Sequence, residues 1–370
     1  MLQREAAAVL CYAASHPGVA PQAIAEMLFR SRPARKHQAL VVVATRDELT
    51  GGLQAVADGR EHRSVVRTAT PATARRTGYV FPGQGSQRPG MGRLLYESIP
   101  AFRAEADRCA EAFQAQGGAS PLDYLLDEHH CADDSAGIVQ PALFAQLAGL
   151  AAAWKSFGVA PSVTLGHSQG EIAAAYVSGL ISLADAVSVV GIRAGVADEI
   201  DSGDYAMAVV AADRDNCEGL LARCTGWAEL SVVNSPNTTG ISGDRDTVQA
   251  IVDTLTDRGV FARVIGVRYP AHTSLIQRLG DKVRAGMHGR LQSRTFSDTD
   301  IACLGGTLGG SITTDLPVDQ YWFWNLRNTV RFDKAVASAL ALGVDAFVEL
   351  AEHPTLQLAI HENLALAAEG

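Results

Sequence analysis

The chain is 370 residues long, with 40 acidic and 31 basic side chains and a formal net charge of −9. Hydrophobic residues make up 47% and charged residues 19%, so there is ample apolar surface to offset the entropy of ordering, and a disordered chain is excluded. The acidic balance argues against a nucleic-acid binder, whose phosphate contacts need a basic face. The apolar run Leu147 to Trp154 has eight residues and the one at the start, Ala6 to Ala14, nine, where a membrane span needs about 20. At roughly 150 residues per domain, the length suggests about two or three domains.

The first 75 residues read as a small α/β unit. One helical run ends near Gly18 and another starts after Pro21. A basic stretch (Arg30, Arg32, Arg35, Lys36), a strand over 40–44 and a helix over 47–56 follow. Residues 67–77 lack periodicity and read as a linker. The apolar start raises the question of a signal peptide, but Glu5 cancels the charge of Arg4, and His16-Pro17-Gly18 reads as a helix stop rather than a cleavage site. The six cysteines show no C-x-x-C spacing, which speaks for buried thiols in a reducing cytosol and against a disulfide framework or a metal cage.

From Gly78 the pattern becomes strand, glycine turn, helix. A strand over 79–81 enters Pro82-Gly83-Gln84-Gly85-Ser86, a helix covers 140–154, and a strand over 162–165 enters a second glycine turn. This alternation predicts a parallel sheet with helices on both faces. Between 205 and 267 the order is strand 206–210, helix 214–224, paired strands 230–233 and 239–242, helix 247–257 and strand 261–267. That β-α-β-β-α-β order is the split, ferredoxin-like unit, inserted before a last strand over 346–350.

Gly166-His167-Ser168-Gln169-Gly170 fits G-x-S-x-G between a strand and a helix over 171–177, the context of a nucleophile elbow. A serine at a helix N-terminus also has backbone N–H groups near a developing oxyanion. Its base is left open by spacing: His272, His353 and His361 each lie in or near loops, while His167, adjoining the serine on a tight turn, is expected to point elsewhere. Ser182-x-x-Asp185 resembles a capping box that opens a second helix. Arg193, eleven residues on, lies about 16 Å along it, so an antiparallel return brings its guanidinium to the level of Ser168. There it could hold a carboxylate by two parallel hydrogen bonds. The turn around Gln84 has neither G-K-[ST] nor G-x-G-x-x-G, so nucleotide binding is poorly supported, and a glycine turn after a strand serves equally well as half of an oxyanion hole.

Together these motifs resemble the acyltransferase domains of modular polyketide synthases and the malonyl-CoA:acyl-carrier-protein transacylases. The resemblance rests on Phe81-Pro-Gly-Gln-Gly-Ser-Gln87, Gly166-His-Ser-Gln-Gly-Glu-Ile-Ala-Ala-Ala-Tyr176, Val233-Asn-Ser-Pro236, Ile241-Ser-Gly-Asp244, Ala271-His272 and Asn325-Leu-Arg327. It implies an α/β-hydrolase-like core over 76–204 and 268–370, a ferredoxin-like subdomain over 205–267, and a ketosynthase-to-acyltransferase linker domain over 1–75. It also implies Ser168 as nucleophile, His272 as base, an oxyanion hole from the amides of Gln84 and Gln169, and Arg193 as receptor of the substrate carboxylate. The family orients its histidine through a backbone carbonyl, a place that Asn325 matches.

The chemistry implied is ping-pong transfer of a dicarboxylic acyl group from CoA to the phosphopantetheine arm of an acyl carrier protein, with no metal or redox cofactor. A neighbouring ketosynthase domain is implied where the chain is part of a megasynthase. In the family, Gln after the nucleophile and Tyr-Ala-Ser-His accompany methylmalonyl units; an apolar residue and His-Ala-Phe-His accompany malonyl. Gln169 and Tyr269 fall on the methylmalonyl side, but Tyr269-Pro270-Ala271-His272 is neither tetrapeptide. Pro270 constrains Tyr269 and leaves room for an unusual extender unit. Two other classes compete: a serine hydrolase, which would use His353 or His361, and a non-catalytic docking scaffold for carrier proteins.

Overall fold

The computed structural model describes residues 1–31, 35, 37–68, 75–130 and 135–369. Two compact units emerge, Met1–Arg75 and Arg76–Gly370. Arg32 and Lys36 of the basic stretch, most of the expected linker and Cys131 lie outside the described residues.

In the first unit, helices Leu2–Ser15, Pro21–Ser31 and Arg46–Asp58 accompany an antiparallel pair, β1 (Ala39–Val41) and β2 (Val65–Arg67). Arg67, expected in the linker, is thus a strand residue. The apolar start is a helix with Ala6 and Ala13 buried; Ala13 joins Ile24, Leu49 and Leu53 in a small core. Helix Arg46–Asp58 opens with a full capping box: the Thr45 side chain accepts from Glu48 N–H while the Glu48 carboxylate accepts from Thr45 N–H. Arg46 commits its guanidinium to carbonyls at the end of the first helix and in the turn after it, donating to Ala13 O, to His16 O at 2.8 Å and to Val19 O at 2.5 Å.

The second unit holds two sheets. Its strands are β3 (Thr77–Phe81), β4 (Val163–Gly166), β5 (Tyr205–Val210), β6 (Ala228–Ser235), β7 (Thr238–Asp244), β8 (Ala262–Ile265), β9 (Ala302–Gly305), β10 (Gly310–Ser311), β11 (Val330–Arg331) and β12 (Ala346–Glu349). The first sheet runs β10-β9-β4-β3-β12, parallel except for β10. Alternate residues serve its two faces, as period-2 strands require: Tyr79 and Phe81 pack with helices Ala136–Ser156, Gly170–Ser178 and Leu183–Ile200, while Val80, Val163 and Leu165 pack with helix Phe332–Ala341. The second sheet runs β11-β6-β7-β5-β8, and β5 to β8 alternate with helices Arg214–Leu221 and Arg245–Asp257. Its fifth strand comes from far outside residues 205–267, pairing parallel to β6 through Val330–Val232 and Arg331–Val233.

Two expectations need correction. Helix Ala136–Ser156 is long and apolar enough to cross a membrane by length and composition, which an unbroken-run count misses because Gln140, Pro141 and Gln146 interrupt it; its most apolar window is 78% buried inside the fold. The cysteines are not uniformly buried either: Cys109, Cys217 and Cys303 are, but Cys224 is half-buried and Cys11 exposed.

Removing the Arg46 guanidinium strips three carbonyls of a charged donor, at about 1–3 kcal/mol for partly buried groups. Arg46→Ala should therefore speed amide hydrogen exchange along Leu2–Ser15 in the full chain. Unchanged protection there would show that water replaces the guanidinium at no cost.

Candidate active site

β4 ends at Gly166, and two residues later the chain turns into helix Gly170–Ser178 with Ser168 at φ 55°, in the left-handed region. Only glycine fits on either side. A Cβ at Gly170 would stand 2.0 Å from Phe81 O, and one at Gly166 2.2 Å from the Glu171 Cα. The glycine turn after β3 packs on the same elbow, with His167 N–H donating to Phe81 O at 2.9 Å.

Ser168 Oγ lies 2.7 Å from His272 Nε2. His272 is 2% exposed, has φ 62°, and places Nδ1 2.9 Å from the carbonyl of Asn328. A carbonyl only accepts, so Nδ1 carries the proton and Nε2 is free to accept from the serine hydroxyl. Burial, then the Arg193 cation and His167, hold the His272 pKa well below the usual imidazole value, which keeps it a neutral base. His353 and His361, equally open on spacing, are exposed.

The expected antiparallel return of the second helix brings Arg193 to the serine. Arg193 is 3% exposed and donates from Nη2 to Ser168 Oγ at 3.0 Å and from Nη1 to Asn325 Oδ1 at 2.7 Å. Among the described residues no carboxylate lies within salt-bridge distance of it, and its Nε has no partner. The helix begins with half of a capping box: Ser182 Oγ accepts from Asp185 N–H, but the Asp185 carboxylate accepts from Gln292 and Ser293 N–H instead.

The assignment of Asn325 as the histidine-orienting residue is corrected. The carbonyl on His272 belongs to Asn328, one turn further on, where helix Val318–Arg327 has ended and carbonyls are unspent. The Asn325 side chain instead bridges the arginine and the serine backbone, its Nδ2 donating to Ser168 O at 2.9 Å and to Thr307 Oγ1 at 3.1 Å.

The backbone N–H groups of Gln84 and Gln169 make no hydrogen bond to a described residue. Their side chains meet around Gln140, a wholly buried residue that sequence reasoning passed over as part of an apolar helix. Gln169 Nε2 donates to Gln140 O at 2.7 Å, Gln140 Nε2 to Gln84 Oε1 at 3.1 Å, and Tyr269 Oη to Gln84 Oε1 at 3.2 Å. Pro270 and Ala271 are buried beside Tyr269, and the Pro270 carbonyl accepts from Thr273 Oγ1 at 2.7 Å. His167 points away from the serine, as its place on the turn suggests, with Nε2 2.9 Å from Asn234 Oδ1; burial lowers its pKa to about 4.

Glu171 also escaped the sequence reading. It is wholly buried, and burial pushes its carboxyl up to about 7 against the lowering effect of hydrogen bonds from Tyr321 and Thr307. Among the described residues no cluster of His, Cys, Asp or Glu is placed to hold a metal ion.

Residues 78–370 match the acyl transferase domain family. The chain is 36% identical over 356 residues to the spectinabilin polyketide synthase system protein NorC of Streptomyces orinoci, which covers 96% of this chain and 16% of that protein. It is 36% identical over 315 residues to erythronolide synthase EryA2 of Saccharopolyspora erythraea, covering 84% of this chain and 9% of that protein. The chain thus spans under a fifth of the length of these relatives. The acyltransferase domain from module 8 of the salinomycin polyketide synthase superposes with a TM-score of 0.86 at 33% identity, covering 99% of this chain and 86% of that one.

The elbow tolerates no side chain at Gly170. Gly170→Ala should lower unfolding free energy by about 1–3 kcal/mol or more, because the clash is with backbone rather than with a mobile side chain. The denaturant midpoint measures it; a midpoint within error of wild type would mean that the turn relaxes freely.

Proposed function

The chain belongs to the acyl transferase domain family, and we propose that its site loads a dicarboxylic extender unit, methylmalonyl in the first instance, from CoA onto an acyl carrier protein. The observation that carries this reading is Arg193: a buried guanidinium, uncommitted to any carboxylate among the described residues, within hydrogen-bond distance of the nucleophile. A monocarboxylic acyl group gives such a cation nothing to pair with, whereas the free carboxylate of a malonyl-type unit does.

The reaction runs in two halves. Ser168 Oγ attacks the thioester carbonyl as its proton passes to His272 Nε2. The oxyanion is held by the amides of Gln84 and Gln169, and its collapse expels CoA, which takes the proton. The phosphopantetheine thiol of the carrier protein then attacks the acyl-serine, giving its proton to His272, which returns it to Ser168. The chain's own residues supply each proton transfer, and no metal or redox cofactor enters.

The parallel sheet with its helices is read as an α/β-hydrolase-like core, the β-α-β-β-α-β unit as a ferredoxin-like subdomain, and residues 1–75 as a ketosynthase-to-acyltransferase linker domain. A neighbouring ketosynthase is the partner such a linker implies. For the extender, support comes from Gln169 and Tyr269, tied into one cluster with Gln84 and Gln140. Malonyl or an unusual extender is the alternative, through Pro270.

Intact mass after incubation with methylmalonyl-CoA should show a single adduct that Ser168→Ala abolishes. Arg193→Ala should lose most of that acylation while losing little with propionyl-CoA, which has no second carboxylate. Equal losses would make Arg193 structural.

Gln169→Leu with Tyr269→His keeps both backbone oxyanion donors and should shift preference toward malonyl-CoA. One methyl group in an apolar pocket discriminates by roughly 10- to 200-fold at most. The ratio of the two acyl-enzymes in competition reads the shift; an unchanged ratio in an active double variant would place selectivity elsewhere, with Pro270 next.

A further inference from the structure

We infer that Glu171 is a positioning residue for the carboxylate-binding arginine, acting through Thr307 and Asn325, and that it supplies at a distance the counter-charge that Arg193 lacks in contact. The inference rests on the reading that Arg193 receives the substrate carboxylate.

Four buried side chains form one directional chain. Thr307 donates to Glu171 through both N–H (2.8 Å to Oε1) and Oγ1 (2.9 Å to each carboxylate oxygen). Asn325 Nδ2 donates to Thr307 Oγ1 at 3.1 Å, and Arg193 Nη1 donates to Asn325 Oδ1 at 2.7 Å. Thr307 N–H, Thr307 Oγ1 and Tyr321 Oη all converge on the Glu171 oxygens, and above its raised pKa of about 7 the carboxylate can only accept, so the Thr307 hydroxyl proton then faces Glu171. The hydroxyl then offers a lone pair to Asn325, which turns the NH2 of that amide toward Thr307 and Ser168 O and its oxygen toward the guanidinium. With the amide reversed, two N–H groups would face a cation.

The position is built for an acid. Tyr321 Oη donates to Glu171 Oε2 at 2.6 Å. Glycines clear the space around it: a Cβ at Gly305 would stand 2.5 Å from Oε2, and one at Gly166 2.2 Å from the Glu171 Cα. Burying a carboxylate unpaired is costly, and so is burying Arg193 unpaired; two neutral links between them offset both costs in part. A carboxylate in direct contact would occupy the guanidinium and compete with the substrate. Held two residues away, Glu171 orients and balances the cation while leaving it free.

The test follows Ser168 acylation in single turnovers with methylmalonyl-CoA and with propionyl-CoA, in the full chain. Glu171→Gln and the near-isosteric Thr307→Val, which cuts the chain at its middle link, should each lose at least about tenfold more with methylmalonyl-CoA than with propionyl-CoA, the scale of a hydrogen bond to a charged group. A merely structural role would lower both substrates alike, and equal losses in both variants overturn the proposal. If Glu171→Gln fails to fold, Thr307→Val alone decides. Arg193→Ala in the same assay separates the two levels: a substrate split there with none in Glu171→Gln or Thr307→Val sinks the relay alone, and no split there sinks the carboxylate reading beneath it.

Discussion

The whole site hangs on two non-glycine residues held in left-handed backbone. Ser168 and His272 stand at φ 55° and 62°, conformations that cost about 1–3 kcal/mol each and persist only where the surroundings over-determine them. For Ser168 the determinants are visible: glycines at 166 and 170 that let helix and strand close on the turn, Phe81 O bonded to His167 N–H, and the Asn325 amide on Ser168 O. His272 is pinned by its N–H on Leu326 O at 3.0 Å and its ring on Asn328 O. Loosening either residue would cost the 2.7 Å contact between hydroxyl and imidazole, since each is aimed by its backbone rather than by a long side chain.

The electrostatics follow from the same compactness. A neutral imidazole, a cationic guanidinium and the Glu171 carboxyl lie within one buried hydrogen-bonded system. Arg193 helps to keep His272 unprotonated, so the same cation that touches the serine also sets the charge of the imidazole beside it. The serine hydroxyl donates to His272 and accepts from Arg193, which leaves one of its two lone pairs uncommitted.

The order of elements was legible because hydrophobic runs and glycine turns are local properties, and so were the elbow and the return of Arg193, which follow from strand–turn–helix geometry and helix rise. The base was not legible from spacing, since three histidines were equally open on sequence position and only the fold brings one to the serine; the family resemblance pointed to His272. The Asn328 carbonyl had no side-chain signature to read. Glu171 could have been noticed as a lone acid in an otherwise apolar helix, but its partners Thr307 and Tyr321 stand 136 and 150 residues away. Gln140 was hidden for the opposite reason, a polar residue absorbed into a long apolar stretch. β11 is two residues long, too short for any periodicity.

That short strand ties the base to the second sheet. Asn328 holds His272; the next residue, Thr329, donates its hydroxyl to Leu230 O at 3.1 Å; and Val330 and Arg331 are laddered to β6. Arg331 N–H also donates to Gly306 O at 2.7 Å, next to the residue that feeds Glu171. Four consecutive residues are therefore geared to the imidazole, to the smaller sheet and to the floor beneath the arginine. A displacement of that sheet would drag the Asn328 carbonyl with it and let the imidazole rotate off the serine. Geometry at the serine is thereby coupled to the packing of the two sheets: whatever displaces β11 displaces the carbonyl that aims the imidazole.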